Sequence, residues 1–255
     1  MSVLNRTFLH KLKSNIIFFI IYTYLRCDRA KYGLDKAIRL DINELKSMMP
    51  VCIWTMVPPT ISISTWLIFF LYIEHLGERA LAVSNITRSV SGLIWVVLQA
   101  FSATCSTLVS NMIGEGHQDK VMSLVKRVLK LSYGVVCTIL LVICLYPELI
   151  ASIYTDIPDL ISVSVPAIIV MASSYIVAVP GQVFFLAVSG TGSTKTAFRL
   201  ELVALFIYMV YCAVIVGWLK MDVAICWTAE HVYSGVLLIC SFIYMRSGRW
   251  KNRKV

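Results

Sequence analysis

Charged residues divide the chain into long apolar runs. Met48 to Ile73 carries no charge and neither does Ser89 to Gly114; each exceeds the roughly 20 residues that an α-helix needs to cross a bilayer core. Leu131 to Pro147 and Leu202 to Leu219 are uncharged, and so is Leu160 to Thr194, which is long enough to include a loop. Val223 to Met245 is interrupted only by Glu230 and His231. Charges lie between these runs rather than at helical or alternating spacing within them, so the pattern predicts an all-α membrane protein with a bundle of six transmembrane helices. The implied organisation is a short apolar segment and basic linker over 1–46, a six-helix membrane lobe over 47–245, and a basic tail over 246–255.

The basic residues set the expected orientation. Arg26, Arg29, Lys31, Lys36, Arg39 and Lys46 precede the first span, and Lys120, Lys126, Arg127 and Lys130 follow the second. Lys195 and Arg199 follow the fourth, and Arg246, Arg249, Lys251, Arg253 and Lys254 form the tail, whereas the alternate loops hold Arg79 and Lys220. Positive residues stay on the cytoplasmic side, which places the Lys31 region and the C-terminus there. Glu74, Glu78, Glu148, Asp156, Asp159 and Asp222 mark the opposite, acidic side. Ile16 to Leu25 is only ten apolar residues, too short to span unaided, and no small-residue cleavage pattern follows it. It reads as a truncated or surface-lying helix in preference to a signal peptide.

Composition agrees with the pattern. The chain is 58% hydrophobic and 15% charged, with a mean hydropathy of +0.79, where soluble domains have about a quarter of their residues charged. A net charge of +9 would raise the question of nucleic acid in a soluble protein, but here it is the cytoplasmic-side bias of a protein whose partner is the lipid bilayer. The eight cysteines lie mostly inside apolar spans with no C-x-x-C and no Cys/His cluster at ligand spacing, so they read as small buried hydrophobes, and no metal site is expected.

Four stretches resemble bacterial MATE (multidrug and toxin extrusion) transporters. Trp66 to Ser89, WLIFFLYIEHLGERALAVSNITRS, is similar to the seventh helix, outer loop and start of the eighth helix of that family. Thr107 to Gly116 (TLVSNMIGEG), Val188 to Thr194 (VSGTGST) and Ser247 to Lys251 (SGRWK) agree in order and spacing. The likeness runs from about Lys31 to Lys254 and implies the C-terminal half, one lobe of a twelve-helix transporter whose two lobes flank the substrate path. It further implies export of small organic cations or drugs in exchange for H+ or Na+ by alternating access, without a further cofactor, in the bacterial cytoplasmic (inner) membrane. A homodimer or a separate N-terminal lobe would supply the other half. An inactive or partner-dependent fragment is one alternative. A lipid-linked oligosaccharide flippase is another, although it predicts a more cationic groove than Arg88 alone provides.

Ionisable groups inside apolar spans are costly and therefore candidate transport residues. They are Arg88, Glu201, Glu230 and His231. Arg88 and Glu230 sit about 10 to 12 Å from the acidic side at 1.5 Å per residue, so they are expected to pair or to face one polar cavity, the bland reading being that Arg88 snorkels outward. Glu201 reads as a helix-entrance carboxylate near Lys195 and Arg199, or as a proton or cation acceptor. His231 reads as a polar helix contact more than as a relay, and Gln99 as a cavity hydrogen-bonder. Pro58 and Pro59 in the first span, with Thr60, Ser62, Ser64 and Thr65 to satisfy freed carbonyls, and Pro166, Pro180 and Gly181 in the fourth, mark hinges or tolerated kinks. Trp54, Trp66, Trp95, Tyr72, Tyr175, Tyr208 and Tyr211 are candidates for an aromatic cation-binding wall or for interface belts. Gly190 to Thr196 lacks the G-x-x-x-x-G-K-[ST] order, and no G-x-S-x-G or H-E-x-x-H occurs, so no enzyme is expected.

Overall fold

The computed structural model describes residues 42–251, without the side chains at 43, 44, 47, 48, 50–55, 58 and 59. The apolar segment at 16–25, the basic residues from Arg26 to Arg39, the side chain of Trp54, and Cys27 and Cys52 lie outside the described residues. The chain divides into two compact units, Met1–Met49 and Pro50–Val255, and the second holds the membrane bundle.

The described elements are helical: α1 (Ile42–Glu74), α2 (Glu78–Gly114), a 3-10 turn (Gln118–Lys120) leading into α3 (Val121–Leu145), short α4 (Pro147–Ser152), α5 (Pro158–Gly190), α6 (Thr194–Cys212) continued by a π-helical turn (Ala213–Trp218), short α7 (Val223–Cys226) and α8 (Ala229–Ser247). Five described segments are long and apolar enough to cross a membrane, from Glu78–Gly114 to Val223–Ser247, and Thr60–Glu74 of α1 is a shorter apolar helix. The expected first span therefore falls within α1.

Three spans differ in detail from the expectation. Leu131 to Pro147 looks short in sequence because Lys126, Arg127 and Lys130 interrupt its apolar run, yet the helix continues through them as α3, the charges being carried on its first turns. Leu160 to Thr194 holds one unbroken helix with Pro166 and Pro180 inside it, and the connection after it is only Thr191 to Ser193. The sixth span, which no glycine or proline marks as broken, is interrupted at Trp227 and Thr228 between α7 and α8, where Thr228, Glu230 and His231 donate backbone hydrogen bonds three residues back.

The outward faces carry large apolar side chains such as Leu93, Val96, Leu131, Leu141, Phe206 and Ile243, as lipid contact requires. Cysteine use is split accordingly: Cys105, Cys212 and Cys226 are buried, but Cys137 and Cys144 on α3 are exposed on that outer surface. Helices meet through small residues, and Ser84, Ser102, Ser132, Ser164 and Ser241 are fully buried between them. One core cluster, around Phe69, Ile73, Ile94, Met171 and Trp227, fills the half towards the acidic loops. A second, around Val109, Val125, Phe184, Met245 and Trp250, fills the half towards the basic loops.

Helix α5 is the centre of the bundle and packs against α2, α3, α6 and α8. At Gly190 its backbone comes so close to α2 that an added Cβ would collide with the backbone of Ser106, and Ser110 Oγ donates to the Gly190 carbonyl at 2.8 Å. Gly181 lies against α8, where a Cβ would stand 3.0 Å from the Ser234 carbonyl. Buried Pro180 cannot donate to the Ile176 carbonyl four residues back. The Tyr133 hydroxyl of α3 donates to that carbonyl instead, at 2.6 Å. Pro180 and Gly181 thus form a packed, hydrogen-bonded crossing, while Pro166 is exposed on the same helix.

α1 stays helical through Pro58 and Pro59. The nearby hydroxyls do not serve the carbonyls of residues 54 and 55, which the prolines free. Thr60, Ser64 and Thr65 back-bond to Met56, Thr60 and Ile61, and Ser62 leaves its own helix. α2 and α5 are also joined at their acidic ends by Arg79 and Asp159, 2.6 Å apart and largely exposed, a contact of the kind that contributes about 1 kcal/mol or less.

Three substitutions test this packing. Tyr133→Phe should leave the Ile176 carbonyl unsatisfied in hydrocarbon and cost about 1–2 kcal/mol, lowering the unfolding midpoint in detergent. Gly190→Ala should cost roughly 1–3 kcal/mol by overpacking, whereas Gly134→Ala, where a Cβ meets nothing within 4 Å, should leave the midpoint unchanged or slightly raised.

Candidate functional site

Helices α1, α2, α5, α6 and α8 surround a cavity of about 850 Å³, within the range of small-molecule sites. Its wall is mostly apolar and aromatic, with two carboxyls, one guanidinium and a few amides and hydroxyls turned inwards.

Glu201 is the best-defined of these groups. It lies two turns into α6 with 6% of its surface exposed and accepts a hydrogen bond from Ser62 Oγ of α1 at 2.6 Å. Its Oε2 is buried without a hydrogen-bond partner among the described residues. The helix-entrance reading is therefore corrected. Glu201 is too deep for the first turn of α6, and its hydrogen-bond partner is Ser62 instead of Arg199 or Lys195.

Glu230 sits in the first turn of α8, directly after the break at Trp227 and Thr228. An acid there is favoured by the helix dipole, and the break turns it towards the cavity. Trp66 Nε1 of α1 donates to its Oε1 over a long 3.4 Å. Ser62 and Trp66 are one helical turn apart, so a single face of α1 donates to both cavity acids.

Arg88, about three turns into α2, lines the same cavity as Glu230 but does not pair with it. Among the described residues the ion pair found is Arg79 with Asp159, and the Arg88 guanidinium lies over the Phe70 ring, 5.1 Å from its centroid. Phe70 in turn meets Trp66 edge-on at 5.1 Å. The two ionisable groups at similar depth thus share a cavity, as one of the two expectations had it, while contacts through two aromatic rings of α1 connect them instead of an ion pair.

Gln99 and the aromatics Trp66, Trp95, Tyr175 and Tyr208 line the cavity. Tyr175 is fixed by bonds with Ser91, its hydroxyl lying 2.8 Å from Ser91 Oγ and donating to the Ser91 carbonyl at 2.9 Å. Tyr72 instead packs on Gly217, and Tyr211 bonds Thr228 at 2.7 Å, so neither belongs to the wall. His231 points away from the cavity towards α5, where its Nε2 is 3.0 Å from Ser173 Oγ, the polar helix contact expected of it. Gln182, Trp227 and Tyr233 also line the cavity, and the sequence reading does not single them out. Tyr233 has a readable signal, lying three residues after Glu230 on the same helix face. Gln182 has one too, as the amide in an otherwise apolar run. The Trp227 indole donates to Ser84 Oγ at 3.4 Å, which depends on the unforeseen break.

Fold and cavity together define a multi-pass helical membrane lobe built around a ligand-sized site. Residues 60–214 match the MatE family model, and the chain belongs to this family of transporters. A Thermotoga maritima protein described as probable multidrug resistance protein NorM is 24% identical over 184 residues, which are 70% of this chain and 39% of the relative. The chain therefore spans about two-fifths of the length of that curated protein. Two solved structures share the fold at 14% identity, each aligned over 80% of this chain and 44% of the other. One, at a TM-score of 0.67, is a MOP superfamily transporter from Pyrococcus furiosus, for which reverse polarity of the binding pocket suggests a different function. The other, at 0.66, is an outward-facing multidrug resistance MATE family transporter of the MOP superfamily.

The bond between α1 and α6 can be isolated by a double-mutant cycle. Ser62→Ala and Glu201→Gln should be non-additive by roughly 1–3 kcal/mol in thermal unfolding of the detergent-solubilised chain; additivity would show that the two side chains do not interact.

Proposed function

We propose that this lobe is one half of a secondary active antiporter that exports organic cations or drugs in exchange for H+ or Na+ by alternating access. The supporting observation is that Glu201 and Glu230, on two different helices of one cavity, are both hydrogen-bonded by the same face of α1. A proton or cation taken up by either carboxyl competes with the bond from Ser62 or Trp66. Occupancy of the acids is thereby linked to the position of α1, and loading of the ion is linked to the access of an aromatic-lined cavity. Cations also suit aromatic walls through the ring quadrupole.

A second copy of the chain or a separate N-terminal lobe completes the substrate path, in a bacterial cytoplasmic membrane with the C-terminus inside. No cofactor beyond the coupling ion is required by this scheme. Pro166 and the Pro58–Pro59 pair are the points at which α5 and α1 bend during access.

Glu201→Gln and Glu230→Gln should each reduce ion-driven drug export by more than about tenfold, as removal of a charge-assisted contact predicts, with membrane expression intact. The measurement is drug accumulation in cells producing the chain, and wild-type export rates in both variants would refute the scheme. In mild detergent the purified chain should run as a dimer; a monomer would assign the second half to a separate lobe.

A further inference from the structure

The first turns of α3 carry a cluster of cations that lies outside the cavity. Lys126, Arg127 and Lys130 are exposed. None has a carboxylate within ion-pair distance among the described residues, although Glu115 and Asp119 lie in the connection just before the helix. The opposite face of these turns is packed: Val121, Val125 and Val128 are buried in the cluster that also holds Val109, Phe184 and Val188. The cations therefore sit on the flank of the packed bundle, not in a loop clear of it. The bias of positive residues to one side of a membrane is satisfied by charges anywhere near the ends of the spans; their grouping on one outward stripe is a further feature of this helix.

That stripe continues along α3 as lipid-facing surface. Residues three and four apart share a helix face, so Lys126 adjoins Lys130, Arg127 adjoins Leu131, and Lys130 adjoins Gly134. Leu131, Gly134, Val135, Thr138, Leu141 and Val142 are all exposed on this side. From Leu131 to Leu141 the helix rises about 15 Å, half the thickness of a hydrocarbon core. Gly134 leaves a dent in the stripe, since a Cβ there would meet nothing within 4 Å. The Thr138 hydroxyl donates to the Gly134 carbonyl at 2.8 Å, so it demands no partner from the surroundings. One leaflet's depth of apolar surface thus ends in three unpaired cations.

We propose that this stripe binds an anionic phospholipid of the leaflet at the basic end of the bundle. Lys126, Arg127 and Lys130 hold the phosphate, whose oxygens suit their N–H donors, and an acyl chain lies along Leu131, Gly134, Thr138 and Leu141. Basic clusters beside a span attract anionic headgroups, and here the cations and the apolar stripe form one surface, which fits a lipid and not a soluble phosphate. The tail is built differently. Arg249 and Lys251 follow the end of α8 at Gly248, Trp250 between them is buried, and the Lys251 ammonium lies over the Trp250 ring, 5.7 Å from its centroid.

Lipid retention by the purified full chain, read by native mass spectrometry, tests this. The chain is given equal amounts of phosphatidylglycerol and phosphatidylcholine with the same acyl chains, so that the headgroups differ in net charge. Phosphatidylglycerol should be retained about tenfold over phosphatidylcholine. Lys126→Gln, Arg127→Gln and Lys130→Gln together should reduce the preference to about twofold or less, while Lys126→Arg with Lys130→Arg, which keeps the charge, should preserve it. Arg246→Gln, Arg249→Gln and Lys251→Gln remove the same charge from the tail and should leave the preference within about twofold of wild type. Glycerol phosphate, a headgroup without acyl chains, should fail to displace the lipid. Equal retention of the two lipids by the wild-type chain overturns the proposal, and that measurement depends on no variant. An equal loss in the tail variant would assign the preference to net charge, and displacement by glycerol phosphate would assign the cluster to a soluble anion; either result also overturns it.

Discussion

Hydrocarbon offers no hydrogen-bond partner, and that single constraint decides where this bundle is tied together. A carbonyl or carboxyl that loses its local partner inside the membrane must find another on a neighbouring helix. The structure meets the requirement one atom at a time. Pro180 withdraws a donor from α5, and Tyr133 on α3 supplies it to the Ile176 carbonyl. Ser110 on α2 reaches the Gly190 carbonyl where α5 ends. A position that looks like a weak point in one helix is therefore a fastening between two.

The same requirement shapes the cavity. Glu201 and Glu230 are the acids that the cavity wall carries, and both are approached by donors from α1, Ser62 and Trp66. Glu230 reaches the wall because the last span is broken: the turn at Trp227 and Thr228 starts a new helix whose first turn suits a carboxyl. Discontinuous helices with their ends turned to a binding site recur among secondary transporters. Trp227 at that break bonds Ser84 on α2, so the interruption is anchored to a second helix.

Membrane class, the positions of the spans and the identities of the deep ionisable residues are legible in the sequence, because charge-free run length is a one-dimensional signal. Azimuth around a helix is much less legible. Matching depth for Arg88 and Glu230 correctly predicts that they share a cavity, yet depth says nothing about whether Phe70 and Trp66 stand between them. The prolines mislead for a related reason. Neighbouring hydroxyls in sequence suggest local repair, but repair of the Pro180 defect comes from Tyr133, forty-three residues from Ile176. The break before Glu230 carries no glycine or proline, so tertiary contacts of Trp227 and Thr228 override a sequence that reads as continuous helix.

Keeping Arg88 apart from Glu230 runs against the simplest electrostatics, since an ion pair would reduce the cost of holding two charges at that depth. The observed arrangement offsets part of the cost differently, with an aromatic face under the guanidinium and an indole N–H on the carboxyl. Neither contact uses up the charge. A paired Arg88 and Glu230 would stabilise the lobe and cancel each other's charge for any molecule entering the cavity. Separated, they leave the wall with fixed groups of opposite sign. Departures from the most stable arrangement concentrate at functional sites, and this one lies in the wall of the cavity.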